Sequence, residues 1–322
     1  AGSLGLSILY FRDLLSSVGA IPLVELLKLH GRGFDQLRIH SLVALNSPLR
    51  YAYAVLIEVV YPSLVAIAFG SWLHTRTIAW LVLLVLTACG GAVSAGASGA
   101  RSGIAVILVV ALATLYLYRK GRVGRNFVLW SLGVVLVFPV AITVALYHTD
   151  VLYALRLIGV RLFYTPAYIQ YLYFQLVPGH IGYLHGRTSP IFAWLTGQGY
   201  FDLPRYVVRI PWPGAPVDAT ASGPFIGDFY VNFGVPGVML GGVLAGVVMQ
   251  LLQIWLVRHR KTITSLAVYA FLLYVFSTLS YRPLQVILWS GGVFFVLLIW
   301  GILAMLEATL GTRGAPAPHP EA

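Results

Sequence analysis

The sequence predicts an all-α polytopic membrane bundle of about seven spans, with one large outward loop carrying an interfacial helix. Three observations lead there. Hydrophobic residues make up 59% of the 322 positions and charged residues only 10%, against about 25% charged in soluble domains. Several apolar runs reach the roughly 18–20 residues that cross a bilayer core of about 30 Å. Seven basic residues fall into two tight clusters between apolar runs: Arg119, Lys120, Arg122 and Arg125, then Arg258, Arg260 and Lys261. Short Lys- and Arg-rich connections stay on the cytoplasmic side. Both clusters therefore face inward, and the polar, Pro- and Gly-rich residues 149–222 between them face outward. Helices satisfy their own backbone groups in lipid, and the alternation of a membrane barrel is absent.

Residues 1–310 read as a single integral membrane domain. Residues 1–20 begin without a methionine and read as the trailing end of something longer. Residues 21–49, with Lys28, Arg32 and Arg38, suit a surface helix and loop. The spans fall at about 51–73, 77–97, 103–118 and 127–147, then 234–257, 263–279 and 284–305. Residues 311–322, rich in Gly, Pro and Ala, read as a disordered cytoplasmic tail. With both clusters inward, seven spans place the N-terminal stretch outside. That stretch carries five positive charges, Arg12, Lys28, Arg32, Arg38 and Arg50, which predicts further spans upstream. No internal repeat is visible, which weighs against the inverted-repeat transporters. Cys89 lies alone in an apolar run, so no disulfide framework or cysteine metal site is available, and it reads as a small packing residue. Glu58 within the first span is costly in lipid and should face the bundle interior.

The net charge of +11 would suggest nucleic acid in a soluble chain. Here topology accounts for the two clusters, so no nucleic-acid partner is expected. The outward arginines need another explanation, either anionic lipid or a phosphate-bearing substrate.

Within the outward loop, residues 151–176 place apolar and aromatic side chains at helical spacing, with Arg156 and Arg161 among them and Tyr164, Tyr168, Tyr171 and Tyr173 crowded together. Tyr rings favour the headgroup level, so this suits a helix lying in the interface. The rings serve either as an anchor alone or also as a platform for sugar rings or a polyprenyl chain. From Pro178 to Pro224 the chain has seven prolines and seven glycines, too many for a regular helix. Trp194, Tyr200, Tyr206 and Trp212 argue for an ordered lid or binding loop there rather than disorder.

Arg101, Arg205, Arg209 and Arg282 all fall at outward ends of spans or in the loop. Guanidinium groups grip phosphate oxygens bidentately and stay charged. Singly each reads as a headgroup contact or a helix-end residue; together they suit a pyrophosphate leaving group. Acids number ten, of which Asp150, Asp202, Asp218 and Asp228 face outward. They form no D-x-D pair and no H-E-x-x-H, so no metal or other cofactor is expected, and arginine would supply the electrostatics. His180 and His185 could exchange protons near neutral pH.

Residues 227–237 carry Asp228, Tyr230, Asn232, Phe233, Gly234 and Gly237 at the mouth of a span. This stretch resembles the oligosaccharide repeat-unit polymerases, the O-antigen polymerase family of bacterial envelopes, which show a tyrosine, then Asn-Phe-Gly, then another glycine where a helix enters the membrane. Leu203-Pro204-Arg205 is similar to the proline-arginine pair preceding that motif. Ala100-Arg101-Ser102-Gly103 resembles the small-residue-plus-arginine start of an earlier helix, with the serine-arginine order altered. The resemblance covers most of residues 90–305; the family usually has ten or more spans.

The resemblance implies a metal-independent glycosyltransferase at the periplasmic face of the bacterial inner membrane. It would join oligosaccharide units carried on undecaprenyl pyrophosphate. Arg101, Arg205, Arg209 and Arg282 would then hold pyrophosphate, with Arg161 a further candidate, and Arg205 would stand at the reacting centre. Asp228, His180 or His185 would act as the base, and Tyr230 and Asn232 would orient the sugar or hold the loop. Membrane lipid and a chain-length regulator are the other expected partners. The alternatives are an O-antigen ligase, a flippase or transporter of lipid-linked sugar, and a noncatalytic scaffold.

Overall fold

Helix dominates the computed structural model, and among the described residues there is no strand. These are residues 2–18, 47–97, 101–120, 149–214, 220–258 and 262–309, with scattered positions between 125 and 144. Among the described residues, six helices are long and apolar enough to cross a membrane: Tyr51–Thr75, Ile78–Gly96, Gly103–Lys120, Phe225–Arg258, Ile263–Ser280 and Leu284–Met305. The chain is thus a multi-pass membrane protein, helical throughout its membrane-crossing segments among the described residues. The expected fourth span at 127–147 lies largely outside the described residues. So do the tail at 311–322, nearly all of 21–49, and Arg122, Asp218, Arg260 and Lys261.

In chain order, α1 is Gly2–Val18. Ser47–Val55 runs through a π-helical turn at Leu56–Val60 into Tyr61–Thr75, and the three together are α2. Then come α3 (Ile78–Ala97) and α4 (Arg101–Lys120). Between the two basic clusters, Val151–Gly159, a π-helical turn at Val160–Tyr164 and Thr165–Leu176 form α5, followed by α6 (Pro190–Leu195) and α7 (Leu203–Val208). Last are α8 (Phe225–Arg258), α9 (Ile263–Ser277), α10 (Leu284–Leu288) and α11 (Val293–Thr309). The chain divides into two compact units. One takes Ala1–Ala154, Leu256–Val275 and Trp289–Ala322; the other takes Leu155–Trp255 and Phe276–Leu288.

In the first unit, small residues let helices approach closely, which is how helices associate where lipid is as apolar as leucine. A β-carbon on Gly91 of α3 would lie 3.0 Å from the Cβ of Tyr61, and one on Gly103 of α4 would lie 2.8 Å from Ile57 Cγ2. Several hydroxyls inside this packing are paired, as buried polar groups usually are, while those of Tyr10 and Ser63 are buried without a hydrogen bond. The Tyr61 hydroxyl lies 2.7 Å from Ser7 Oγ, and the Tyr53 hydroxyl donates to the Ser94 carbonyl at 3.0 Å. Glu58 falls in the π-helical turn and is half-buried. Cys89, expected as a packing residue, is instead exposed.

The final apolar run departs from the continuous span the sequence predicts. It breaks after α10, and Gly292 takes φ 104° before α11 begins. A β-carbon there would meet Val59 Cγ2 at 2.6 Å, so the turn is open only to glycine.

Candidate functional site

The second unit gathers nearly all the chemistry the sequence pointed to. α5 fills the expected interfacial stretch from end to end. Its first half leaves Leu152, Phe163 and Tyr164 exposed, together with Arg156 and Arg161. Its second half turns inward, where Ile169, Leu172, Tyr173 and Leu176 join a buried core with Leu203, Val207 and Val231. Tyr173 is the pin of this core. Its hydroxyl donates to the Ala221 carbonyl at 3.2 Å and accepts from Gly223 N–H at 3.1 Å. Its ring occupies space that a β-carbon on Gly223 or Gly227 would need, at 2.7 and 2.9 Å. Burial holds this phenol well above the usual range.

α6 and α7 are set by caps that the sequence spells out. Ser189 accepts from Phe192 N–H and Pro190 follows it; Asp202 accepts from Arg205 N–H with Pro204 close behind. A Ser or Asp cap with proline in the first turn is a strong start signal even for a short helix. Between them, the Arg187 guanidinium donates from Nε to the Gly199 carbonyl at 2.9 Å, and Phe201 N–H returns to the Arg187 carbonyl at 2.9 Å. These two bonds join the ends of residues 187–201.

The Asn-Phe-Gly segment is where α8 breaks. Gly234 takes φ 68° and ψ −155°, a conformation essentially reserved for glycine, and Pro236 follows. In an unbroken helix the carbonyls of Val231 and Asn232 would accept from residues 235 and 236, and proline has no N–H to give. Both carbonyls accept from the loop, Val231 from Leu184 N–H and Asn232 from His185 N–H, each at 3.1 Å. The Asn232 side chain completes the clasp. Its Oδ1 accepts from Gly186 N–H at 2.8 Å, and its Nδ2 donates to Thr188 Oγ1 at 2.7 Å and to the Asp228 carbonyl at 2.8 Å. The Thr188 hydroxyl bonds the Asp228 carboxylate, and Gln285 Nε2 donates to the Thr188 carbonyl at 3.1 Å. One node therefore ties the start of α8, the loop at 184–188 and the segment bearing Arg282.

The expected site residues fall into three groups. Asp228, Asn232 and the backbone of His185 meet at the clasp, and Asn232 spends its amide within the protein. Arg205 pairs with Asp202, Nε to Oδ2 at 3.3 Å. Tyr200 connects these two groups, because its phenol lies within electrostatic reach of Asp202, Asp228 and Arg205. Burial and the two carboxylates raise it above the usual phenol range, and Arg205 opposes them. Arg209 ends α7, exposed and four residues from Arg205. Tyr230 packs edge-on against Phe174 at 4.5 Å and Tyr183 at 6.4 Å.

The third group stands apart in the chain. Arg161 lies in the π-helical turn of α5, and His180 follows α5 with its N–H on the Leu176 carbonyl. Both of their side chains, and that of His185, are exposed. Arg282 is half-buried, its guanidinium 5.7 Å from the Tyr281 ring centre. Arg101 opens α4 in the other unit, and its side chain lies outside the described residues. Thr188, Arg187 and Gln285 had drawn no notice in the sequence; of these only Thr188 carried a signal, being next to the Ser-Pro helix start. Among the described residues no three His, Cys, Asp or Glu side chains gather as metal ligands would.

The site is thus a carboxylate steered by a hydroxyl, a phenol, and an arginine-bearing short helix at the mouth of a membrane helix. No family model, no curated protein and no solved structure matches the chain.

Proposed function

We propose that this chain is a metal-independent glycosyltransferase of the bacterial inner membrane. In this reading it polymerises undecaprenyl-pyrophosphate-linked oligosaccharide units at the periplasmic face. The observation that carries the reading is the clasp at Asn232. It holds Asp228 at the mouth of α8 within one electrostatic neighbourhood with Tyr200 and Arg205. Such a place suits a substrate whose tail is in lipid and whose sugars are in water.

In the reaction, Asp228 takes the proton of the acceptor hydroxyl as its oxygen attacks the anomeric carbon of the donor. The bond from that carbon to pyrophosphate breaks, and the leaving group departs with the electron pair. Charge developing on the pyrophosphate is met by Arg205 and Arg209, with Arg282 and Arg161 as further contacts. His180 and His185 are the alternative proton acceptors. A chain-length regulator is the expected protein partner.

The test uses purified protein and a synthetic undecaprenyl-pyrophosphate oligosaccharide, with and without EDTA, resolved on a gel. A product ladder that survives chelation and vanishes in Arg205→Ala and Arg282→Ala supports the proposal. Intact donor across plausible repeat units overturns it.

A second reading rests on Glu58, a carboxyl group in a π-helical turn within an apolar span. Intramembrane ionisable residues commonly mark transport pathways, and π-helical turns recur at functional sites. A flippase for lipid-linked sugar would move a fluorescent lipid-linked sugar across vesicles without forming a bond, and would lose that movement in Glu58→Gln.

A further inference from the structure

α6 presents an unusual surface for so small an element. Ile191, Phe192, Trp194 and Leu195 are exposed at 43%, 57%, 79% and 64%. Only Ala193 of this helix is buried. The exposure is built in, because α6 is mounted rigidly at its start. Ser189 caps it, and Thr188 is fixed by Asn232 and Gln285. A large apolar surface on a fixed mount needs a partner, since isolated apolar side chains on a surface are ordinary but a cluster is not.

Charge indicates what covers it. No residue from Thr188 to Phe201 is charged. Around this neutral tip, residues 155–214 carry Arg156, Arg161, Arg187, Arg205 and Arg209 against one acid, Asp202. Exposed Ile210 and Trp212 lie one and three positions after Arg209. Trp212 meets Tyr168 edge-on at 6.4 Å, and Tyr168 stacks on Tyr164 at 5.6 Å. Aromatic rings interleaved with arginine beside a neutral apolar tip are the chemistry of an anionic bilayer surface. Rings sit at the headgroups, cations meet lipid phosphate, and leucine and phenylalanine reach the acyl chains.

We infer that α6 inserts into the headgroup–acyl boundary of an anionic bilayer, with Trp194 and Leu195 leading, and so anchors the loop at a second point. The inference stands whether or not the chain transfers sugars.

A nitroxide on Leu195→Cys, in full-length Cys89→Ala protein reconstituted in vesicles of phosphatidylglycerol and phosphatidylcholine, tests it. Collisions with oxygen, which concentrates in lipid, are compared with collisions with a water-soluble nickel chelate. Oxygen is expected to dominate. That advantage should fall when phosphatidylcholine replaces all anionic lipid, and in Arg209→Gln by roughly fivefold in the inserted-to-withdrawn ratio. Dominant nickel collisions place the tip in water and overturn the inference. Exclusion of both reagents places it against protein and overturns it equally. The label replaces an exposed side chain, so folding is checked by retention of a single peak on size exclusion.

Discussion

At the scale of single residues, Asn232 carries more of the site than any catalytic candidate. Its amide satisfies Gly186 N–H, Thr188 Oγ1 and the Asp228 carbonyl, all in a position only 3% exposed. Asn232→Ala leaves the buried Gly186 N–H without its partner and removes the bonds to Thr188 Oγ1 and the Asp228 carbonyl, which costs about 2 kcal/mol. The unfolding midpoint in denaturant should drop accordingly, and protease should cut between residues 184 and 200 faster. Gly234→Ala forces a β-carbon into φ 68° and to within 3.1 Å of the Tyr183 hydroxyl. It should cost roughly 1–3 kcal/mol by the same assay. The sequence marked these residues as a polar, glycine-bearing mouth of a span, and that much was legible. It offered two roles for Asn232, orienting a sugar or holding the loop, and the amide bonds the loop at Gly186 and Thr188. What it could not give was the loop partners, Gly186 and Thr188, which lie more than forty positions away, the first joined through a backbone N–H that nearly every residue has.

Elements show a similar division. α5 and the cap-and-proline starts of α6 and α7 follow from local chemistry, so their places can be read from side chains alone. The break in α8 is half legible: Pro236 announces it, but the direction of the fold-back is set by contacts. A β-carbon on Gly241 would strike the Phe229 ring at 2.5 Å, whereas one on Gly237 would strike the Phe229 carbonyl oxygen at 2.5 Å. Gly241→Ala should therefore be destabilising and substantially rescued by Phe229→Ala, while Gly237→Ala should not be rescued. A double-mutant cycle on thermal inactivation in detergent separates the two, and equal rescue would refute this packing. The core beneath α5 has its own signature in alkali. The folded chain holds the Tyr173 proton more tightly than the unfolded chain does, so its contribution is complete below the ordinary phenol pKa of about 10 and is lost above it. Tyr173→Phe should lower stability by about 1 kcal/mol at neutral pH. It should also make the loss of stability above that pH less steep, as followed by protease nicking.

For the whole molecule, composition and apolar run length made the membrane class plain. The two-unit division was not foreseeable, because it depends on segments distant in sequence returning to the same unit. The last span illustrates the limit: its hydropathy is continuous, yet Gly292 interrupts it where α11 must clear Val59. Orientation rests on the basic clusters, and it can be checked directly. A cysteine at residue 198 in Cys89→Ala protein should react with an impermeant maleimide on intact cells, and one at residue 122 only after the membrane is opened. The reverse pattern would move the candidate site to the cytoplasm.

The break in α8 also acts as a length gauge. Thirty-four residues of helix would extend about 51 Å, far beyond a hydrocarbon core of about 30 Å. From residue 235 to Arg258 the remaining stretch is about 36 Å, which fits that core with modest tilt. The upper end of this stretch is fastened through Asn232 and His185, while the lower end is marked by Arg258. When bilayer thickness varies, hydrophobic mismatch is therefore taken up at the Arg258 end, by tilt or by a long side chain reaching for water. Asp228 then keeps its depth in thin and thick membranes alike.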